Sequence, residues 1–273
     1  MGSTSRPSAA DSASAAPAGA RASLERALRG AATDPRDLLR DIFAARPSAP
    51  LRALAGRATF RWPSDPSVVV KRYSRQDWGD LLHDLLRGRA RSVARREADN
   101  LRALAADGIA VPNLLGSCDE GAFLGRSAVW MEHLEHDASL LELGERDPQA
   151  AARFVPELAR AVARLHAAGW YHRDLYLAHW LVTPAGLALV DVGRARRERA
   201  PRRRWFVKDL AALLHSCPAA IGARSRQRFL ALYLDARGIA SHDERRSFAR
   251  AVLAKAARIA AHVPRWRDPL TGQ

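Results

Sequence analysis

The apolar residues of this chain change period several times, and each change marks an element. Residues 21–46 read as two short helices. Ser23 is a cap candidate for the first and Gly30 its end, while Asp34-Pro35 is an N-cap followed by proline at the first helical position. Residues 59–62 and 68–73 are β-rich, and the Pro-Ser-Asp-Pro segment at 63–66 predicts a hairpin between them. Trp78, Leu81, Leu82, Leu85 and Leu86 fall at helical spacing and lead into Arg87, Arg89, Arg91, Arg95 and Arg96, although Gly79 and Gly88 weaken one long helix. Residues 95–106 continue as a helix with Ala98, Leu101 and Leu104 inward, stopped by Asp107-Gly108. Strands are expected at 109–111 and 127–131. One helix is expected over 150–168, with Phe154, Val155, Leu158, Val162 and Leu165 on its buried face, Pro156 near its start and Gly169 as its stop. Residues 180–183 and 187–190 predict a tight hairpin turning at 184–186, and beyond residue 205 the pattern is helical.

Strands first, helices later, with a polar loop entering between them, is the order of an α+β, bilobal protein-kinase-like fold: a small β-rich N-lobe and a mainly helical C-lobe. The expected organisation is a disordered tail over 1–20, a helical extension over 21–49, the N-lobe over 50–131, and a hinge (132–136) with the C-lobe to 273. At 273 residues and 48% hydrophobic the chain can bury such a core. No run reaches the eighteen or so apolar residues of a membrane span, and residues 1–20, rich in Ala, Ser and Pro, lack the compact apolar stretch of a secretory signal. Cys118 and Cys217, far apart and without metal-ligand spacing, point to reduced thiols and a cytoplasmic location.

The polar loop carries the chemistry. It runs Tyr171-His172-Arg173-Asp174-Leu175-Tyr176-Leu177-Ala178-His179, and Asp191-Val192-Gly193 lies twelve residues past His179. Phosphoryl transfer needs one carboxylate to orient an acceptor hydroxyl and take its proton, and another to hold the Mg²⁺ that bridges the phosphates of ATP. In protein kinases these are the aspartates of His-Arg-Asp and Asp-Phe-Gly. Asp174 and Asp191 fit the two roles, and the hairpin between them would bring both to one mouth. Lys71, at the end of a Val-Val-Val strand, is the candidate cation for the α/β-phosphates, with Glu97 on the next helix as its partner. Glu132, where the hinge begins, is a further nucleotide-binding candidate.

Charge changes the picture only locally. The chain carries 44 Lys+Arg against 29 Asp+Glu, net +15, but lysine occurs only at Lys71, Lys208 and Lys255. Arginine and alanine enrichment of this kind follows from a GC-rich coding sequence without selection for a ligand, so nucleic acid is not an expected partner. Arg194, Arg196, Arg197, Arg199, Arg202, Arg203 and Arg204 crowd the segment after Asp191. There they either dock an anionic acceptor, since guanidinium binds phosphate and carboxylate bidentately, or form a solvated run. Asp209 reads equally as a helix N-cap and as a buried acceptor that holds the polar loop. The Trp78–Leu86 stretch packs inside the N-lobe or lies on an anionic membrane surface.

Taken together the residues resemble the lipopolysaccharide kinase family, the InaA-like and core heptose or Kdo kinases. The likeness rests on Val68-Val69-Val70-Lys71-Arg72-Tyr73, Asp77-Trp78-Gly79-Asp80-Leu81-Leu82, Arg96-Glu97-Ala98, the loop from His172 to His179, Leu189-Val190-Asp191-Val192-Gly193-Arg194, and Pro201-Arg202-Arg203-Arg204-Trp205-Phe206-Val207-Lys208-Asp209-Leu210. The resemblance implies ATP- and Mg²⁺-dependent phosphorylation of a sugar hydroxyl in the lipopolysaccharide inner core, at the cytoplasmic face of the inner membrane, with a glycolipid acceptor. Asp174 would be the base, supported by Arg173. Asp191 would hold the metal, and His179, where protein kinases have asparagine, would stand beside it; Lys71 would bind phosphate. Two departures stand out. No Gly-x-Gly-x-x-Gly precedes Lys71, Gly56 being alone in the expected loop, and Asp191-Val192-Gly193 is closer to the protein-kinase motif than to the family's common Asp-Leu-His. A protein Ser/Thr kinase and a catalytically weak anion-binding scaffold remain as rival readings.

Overall fold

The computed structural model describes residues 22–28, 33–47, 50–54, 56–74, 91–120 and 125–261. The expected tail, the Trp78–Leu86 stretch, Gly30 and the last twelve residues lie outside the described residues. The N-terminal part holds α1 (Ala22–Leu28), α2 (Pro35–Ala44), β1 (Arg52–Leu54), β2 (Arg57–Trp62), β3 (Asp65–Tyr73), α3 (Val93–Ala106), β4 (Leu114–Asp119) and β5 (Ser127–Glu132). The C-terminal part holds β6 (Ala138–Ser139), α4 (Leu140–Arg146), α5 (Pro148–Arg153), α6 (Val155–Ala167), β7 (Trp170–Tyr171), β8 (Trp180–Thr183), β9 (Gly186–Leu189), β10 (Arg196–Arg197), α7 (Arg203–Ser216), α8 (Ala223–Ala236) and α9 (His242–Ala260).

Five strands form an antiparallel sheet in the order β1-β2-β3-β5-β4, with Val70 of the central strand between Phe60 and Trp130. Both faces of this sheet are covered, which explains the unbroken Val68-Val69-Val70 run. Val68 and Val70 lie with Phe60, Trp62, Ala128 and Trp130 on one face, under Leu24, Leu38, Leu39 and Ile42 of α1 and α2. Val69 and Tyr73 lie with Val129 and Met131 on the other, under Ala94, Ala98, Leu101 and Leu104 of α3. Side chains alternate along a strand, so Lys71 falls on the α3 face and Arg72 on the α2 face. Arg72 Nη1 accordingly donates to the carbonyls of Ile42, Phe43 and Ala45 at 2.9, 3.1 and 3.0 Å, closing the C-terminus of α2.

Helix termini follow local chemistry. Asp34 accepts from the Arg36 amide with Pro35 in the first turn of α2, as its sequence predicts. Gly108, at φ +73°, turns the chain out of α3, and Ile109 N–H returns to the Leu104 carbonyl. Two expectations fail here. Residues 109–111 are not a strand: the turn at Gly108 and the missing donor at Pro112 delay pairing until Leu114, and Ala110 only accepts one bond from Leu189 N–H. The helix expected over 150–168 is two, broken at Phe154, because Pro156 has no N–H to carry the ladder across.

In the C-terminal part, α6 buries Leu158, Val162 and Leu165 and packs on α8, while α7 packs on α9. Three short strands, ordered β6-β8-β9, place the β8–β9 hairpin with Trp180 opposite Leu189, and β10 pairs with β7. These pairings tie the segment before Asp174 to the segment after Asp191. Leu39, fully buried between α2 and the sheet, is the test of the N-terminal packing: Leu39→Ala should cost about 2–5 kcal/mol in urea unfolding, and a loss under 1 kcal/mol would mean the helices merely rest on the sheet.

Candidate active site

The cleft between the sheet and the helical part opens around two carboxylates. About 390 Å³ in volume, it is lined by Arg52, Arg57, Tyr73, Asp174, His179, Asp191 and Arg194 among others. Asp191 is presented by the turn after β9 in a left-handed conformation, φ +58° and ψ +47°. Among the described residues the other non-glycine at positive φ is Arg173, beside Asp174, at +76°. Backbone strain of this kind persists only where the surroundings enforce it, and the enforcing group for Arg173 is Asp209. Its carboxylate is fully buried and accepts from His172 N–H at 2.6 Å and Arg173 N–H at 2.8 Å. Asp209 sits two turns inside α7, so it is not an N-cap; it holds the polar loop. His166 backs it, with Nε2 3.4 Å from Asp209 and Nδ1 2.7 Å from the Tyr233 hydroxyl. Burial lowers the His166 pKa against the pull of Asp209, leaving the ring neutral at pH 7.

Lys71 reaches the cleft from the α3 face of β3. Its ammonium donates to Glu97 Oε1 at 2.5 Å and stands 3.5 Å from Asp191 Oδ1. Glu97 is fully buried, and its second oxygen accepts from the Tyr73 hydroxyl at 2.5 Å. Burial works against charge on Lys71, but Glu97 and Asp191 outweigh it and raise the pKa, so the ammonium stays charged. The turn after Asp191 is tied to the same helix. Arg96 Nε donates to Gly193 O at 2.9 Å, and Asn100 Nδ2 donates to the carbonyls of Val192 and Ala195 at 2.8 and 3.0 Å. A Cβ on Gly193 would come within 3.3 Å of Glu97 Oε2, so the turn lies close against that carboxylate.

Asp191 is the electrostatic centre. Burial disfavours its charge, yet Lys71, Arg57 and His179 more than offset this and hold its carboxyl well below the usual range. Arg57 Nη2 donates to Oδ1 at 2.6 Å, and Arg52 Nη1 lies 3.8 Å from Oδ2. Asp174 has cations of its own: Arg194 Nη1 at 2.7 Å and Lys208 Nζ at 3.9 Å. The His179 ring faces both aspartates. Nδ1–H donates to the Asp174 carbonyl at 2.9 Å, which leaves the Nε2 lone pair towards Asp191 Oδ2, 3.7 Å away. Burial, only partly countered by Asp191, lowers the His179 pKa and keeps the ring neutral. A carboxylate and an imidazole lone pair converging in this way fit a divalent cation that takes its other ligands from phosphate and water; among the described residues no cluster of three such donors exists.

Five of the seven residues expected from sequence come together at this cleft, Lys71, Glu97, Asp174, His179 and Asp191, while Arg173 stands beside Asp174 with its N–H on Asp209. Glu132 stands apart at the end of β5, with an exposed side chain and its N–H donated to Asn113 O at 2.9 Å. Arg52, Arg57 and Tyr73 were not anticipated. Tyr73 was findable, since it lies two residues from Lys71 and so shares its face.

A sheet and a helical part sandwiching paired aspartates under a lysine–glutamate bridge define a phosphotransferase of the protein-kinase-like fold. The family profile described as "Lipopolysaccharide kinase (Kdo/WaaP) family" matches residues 42–233, and the chain belongs to that family. It is 31% identical to the lipopolysaccharide core heptose(I) kinase WaaP of Pseudomonas aeruginosa over 202 residues, 67% of this chain and 75% of that one. It is equally 31% identical to a 3-deoxy-D-manno-octulosonic acid kinase of Xylella fastidiosa over 180 residues, 62% and 69% of the two chains. Among solved structures it is similar to WaaP in complex with acyl carrier protein, with a TM-score of 0.63 and 25% identity over 88% of this chain and 97% of that one. The protein is thus a kinase.

Asp209→Ala leaves the His172 and Arg173 amides without their acceptor. It should lower stability by about 2–4 kcal/mol and cut kcat while the KM for nucleotide stays near its starting value. Unchanged kcat in the folded variant would show that the loop holds its shape without Asp209.

Proposed function

We propose that this kinase transfers the γ-phosphoryl group of Mg²⁺·ATP to a sugar hydroxyl of the lipopolysaccharide inner core, on a heptose or a 3-deoxy-D-manno-octulosonic acid residue. The observation that carries the reading is the convergence of Asp174 and Asp191 beneath the Lys71–Glu97 pair, in a chain whose named relatives phosphorylate these sugars.

Each group has a task. Lys71 binds the α/β-phosphates, and Glu97 keeps its ammonium in place. Asp191 holds the metal, His179 offers the neighbouring donor, and Glu132 borders the nucleotide from the hinge. A divalent cation held by Asp191 and His179 would supply charge neutralisation for the phosphates. Asp174 orients the acceptor hydroxyl and accepts its proton, and the Arg173 backbone fixes the direction in which that carboxylate points. Arg194 and Lys208, both on Asp174, provide positive charge beside the acceptor. Arg199 and Arg202 are exposed on the segment that leads into α7, where an acceptor bearing carboxylate or phosphate gains bidentate contacts. No helix among the described residues is long and apolar enough to cross a membrane. In this reading a glycolipid acceptor is met at the cytoplasmic surface of the inner membrane, where the net charge of +15 favours contact with an anionic face.

Two measurements bear on this. Asp174→Asn should reduce single-turnover transfer from labelled ATP to a lipid-linked inner-core sugar by about 10³-fold or more with nucleotide affinity kept; full activity, or transfer only to protein, would refute it. Replacing Arg199 and Arg202 together with alanine should raise the KM for the glycolipid about tenfold or more and leave that for ATP unaltered, whereas equal changes in both would remove these arginines from acceptor docking.

A further inference from the structure

The roof of the cleft lacks the usual device for covering phosphates. In protein kinases a glycine-rich hairpin lays backbone N–H groups over them. Here β1 and β2 pair so that Leu54 faces Arg57, with only two residues of sequence between them. Gly56, at φ +80°, serves that tight reversal. So short a turn has no run of amides to wrap a triphosphate.

Arginine occupies the position instead. Arg57, the first residue of β2, points its guanidinium into the cleft and donates Nη2 to Asp191 Oδ1 at 2.6 Å. It lies over the Tyr73 ring at 5.5 Å, and Tyr73 is itself anchored on Glu97, so the guanidinium is carried by the scaffold that positions Lys71. Its Nε is buried and has no hydrogen-bond partner among the described residues. Arg52 approaches the other oxygen of Asp191 from β1, at 3.8 Å. Lys71 stands 3.5 Å from the very oxygen that Arg57 holds, and two cations sharing one oxygen are near enough to be bridged by a single phosphate group.

We propose that Arg57, assisted by Arg52, takes the place of the glycine-rich loop: it clamps Asp191 while the cleft is empty and passes to the phosphate oxygens of the nucleotide when a divalent cation claims that carboxylate. The exchange follows from charge and space. Oδ1 of Asp191 cannot keep a guanidinium at hydrogen-bond distance and admit a metal ion on the same side. Arginine does not shed its proton, so the displaced guanidinium carries its full charge to the nearest anions, which the metal has brought with it. The fork geometry suits phosphate oxygens, and Nε–H then gains the acceptor it lacks. Nucleotide and metal consequently bind as a pair, because without the metal Asp191 retains the arginine that the phosphates need. The roles of Asp174 and of the sugar acceptor do not enter this argument.

The test is equilibrium binding by calorimetry of ATP and of adenosine, each with and without Mg²⁺, to the full chain and to Arg57→Ala. The expected result is a loss of roughly 10- to 100-fold in affinity for Mg²⁺·ATP, an unchanged affinity for adenosine, and partial recovery in Arg57→Lys. Should Arg57→Ala fail to fold, Arg57→Gln, which keeps the aliphatic stem to Cδ and loses the charge, answers the same question. Unchanged or tighter Mg²⁺·ATP binding would overturn the proposal, leaving Arg57 as a guard of the carboxylate. Equal weakening for adenosine would overturn it too, as a purely structural effect. Failure of the unaltered protein to bind ATP at all would remove this proposal and the reading of the cleft as a nucleotide site together, so the two failures are distinguishable.

Discussion

One buried ammonium joins the two halves of this molecule. Lys71 ends the apolar run of the central strand, contacts Glu97 of α3 and stands beside Asp191 of the turn after β9. Moving a charge out of water costs several kcal/mol unless it is paired. The fold therefore cannot bury Lys71 without bringing both carboxylates to it, and bringing them to it closes the sheet onto the helical part. Glu97 is as constrained: with one oxygen taken by Lys71 and the other by Tyr73, little acceptor capacity is left for a competing contact. The arrangement sets the orientation of β3, the phase of α3 and the approach of the turn after β9 together.

The second half of the site depends on a different kind of constraint. Asp174 is aimed by backbone geometry, and that geometry is unfavourable for an L-residue at Arg173. Asp209 offsets the cost by accepting two adjacent amides, and its own burial is made tolerable by them and by His166. Tyr233 extends the support into α8. Asp174 is thus positioned from the C-terminal helices and the Asp191 carboxylate from α3. The β8–β9 hairpin and the β7–β10 pair keep the two in register.

Much of this was legible in the sequence where the signal was local. The Asp34-Pro35 cap, the hairpins turning within residues 63–66 and 184–186, and the two-residue period that turns Lys71 towards α3 all follow from short-range rules, and the family resemblance of the motifs is matched by the fold. What was hidden depended on distant partners. Asp209 was ambiguous because the amides that it accepts from lie on another element 36 and 37 residues away. Arg57 carried no signal in a chain with so many arginines, and only the short β1–β2 turn reveals its place. The helix broken at Phe154 and the 109–111 segment mislead because apolar periodicity does not count backbone donors, and in both cases a nearby proline had removed one.

The cleft is dominated by cations: Arg52, Arg57 and Lys71 on Asp191, and Arg194 and Lys208 on Asp174. Such a site is arranged for ligands that bring negative charge with them, and a metal nucleotide and an acidic glycolipid are of that kind. The most direct test of the account is a crystal structure with Mn²⁺ and a non-hydrolysable ATP analogue, with the metal located by its anomalous signal. The account predicts manganese at about 2.1 Å from the Asp191 carboxylate and Lys71 turned onto the phosphates while still bound to Glu97. Manganese and phosphates held elsewhere, with Lys71 and Asp191 undisturbed, would contradict it.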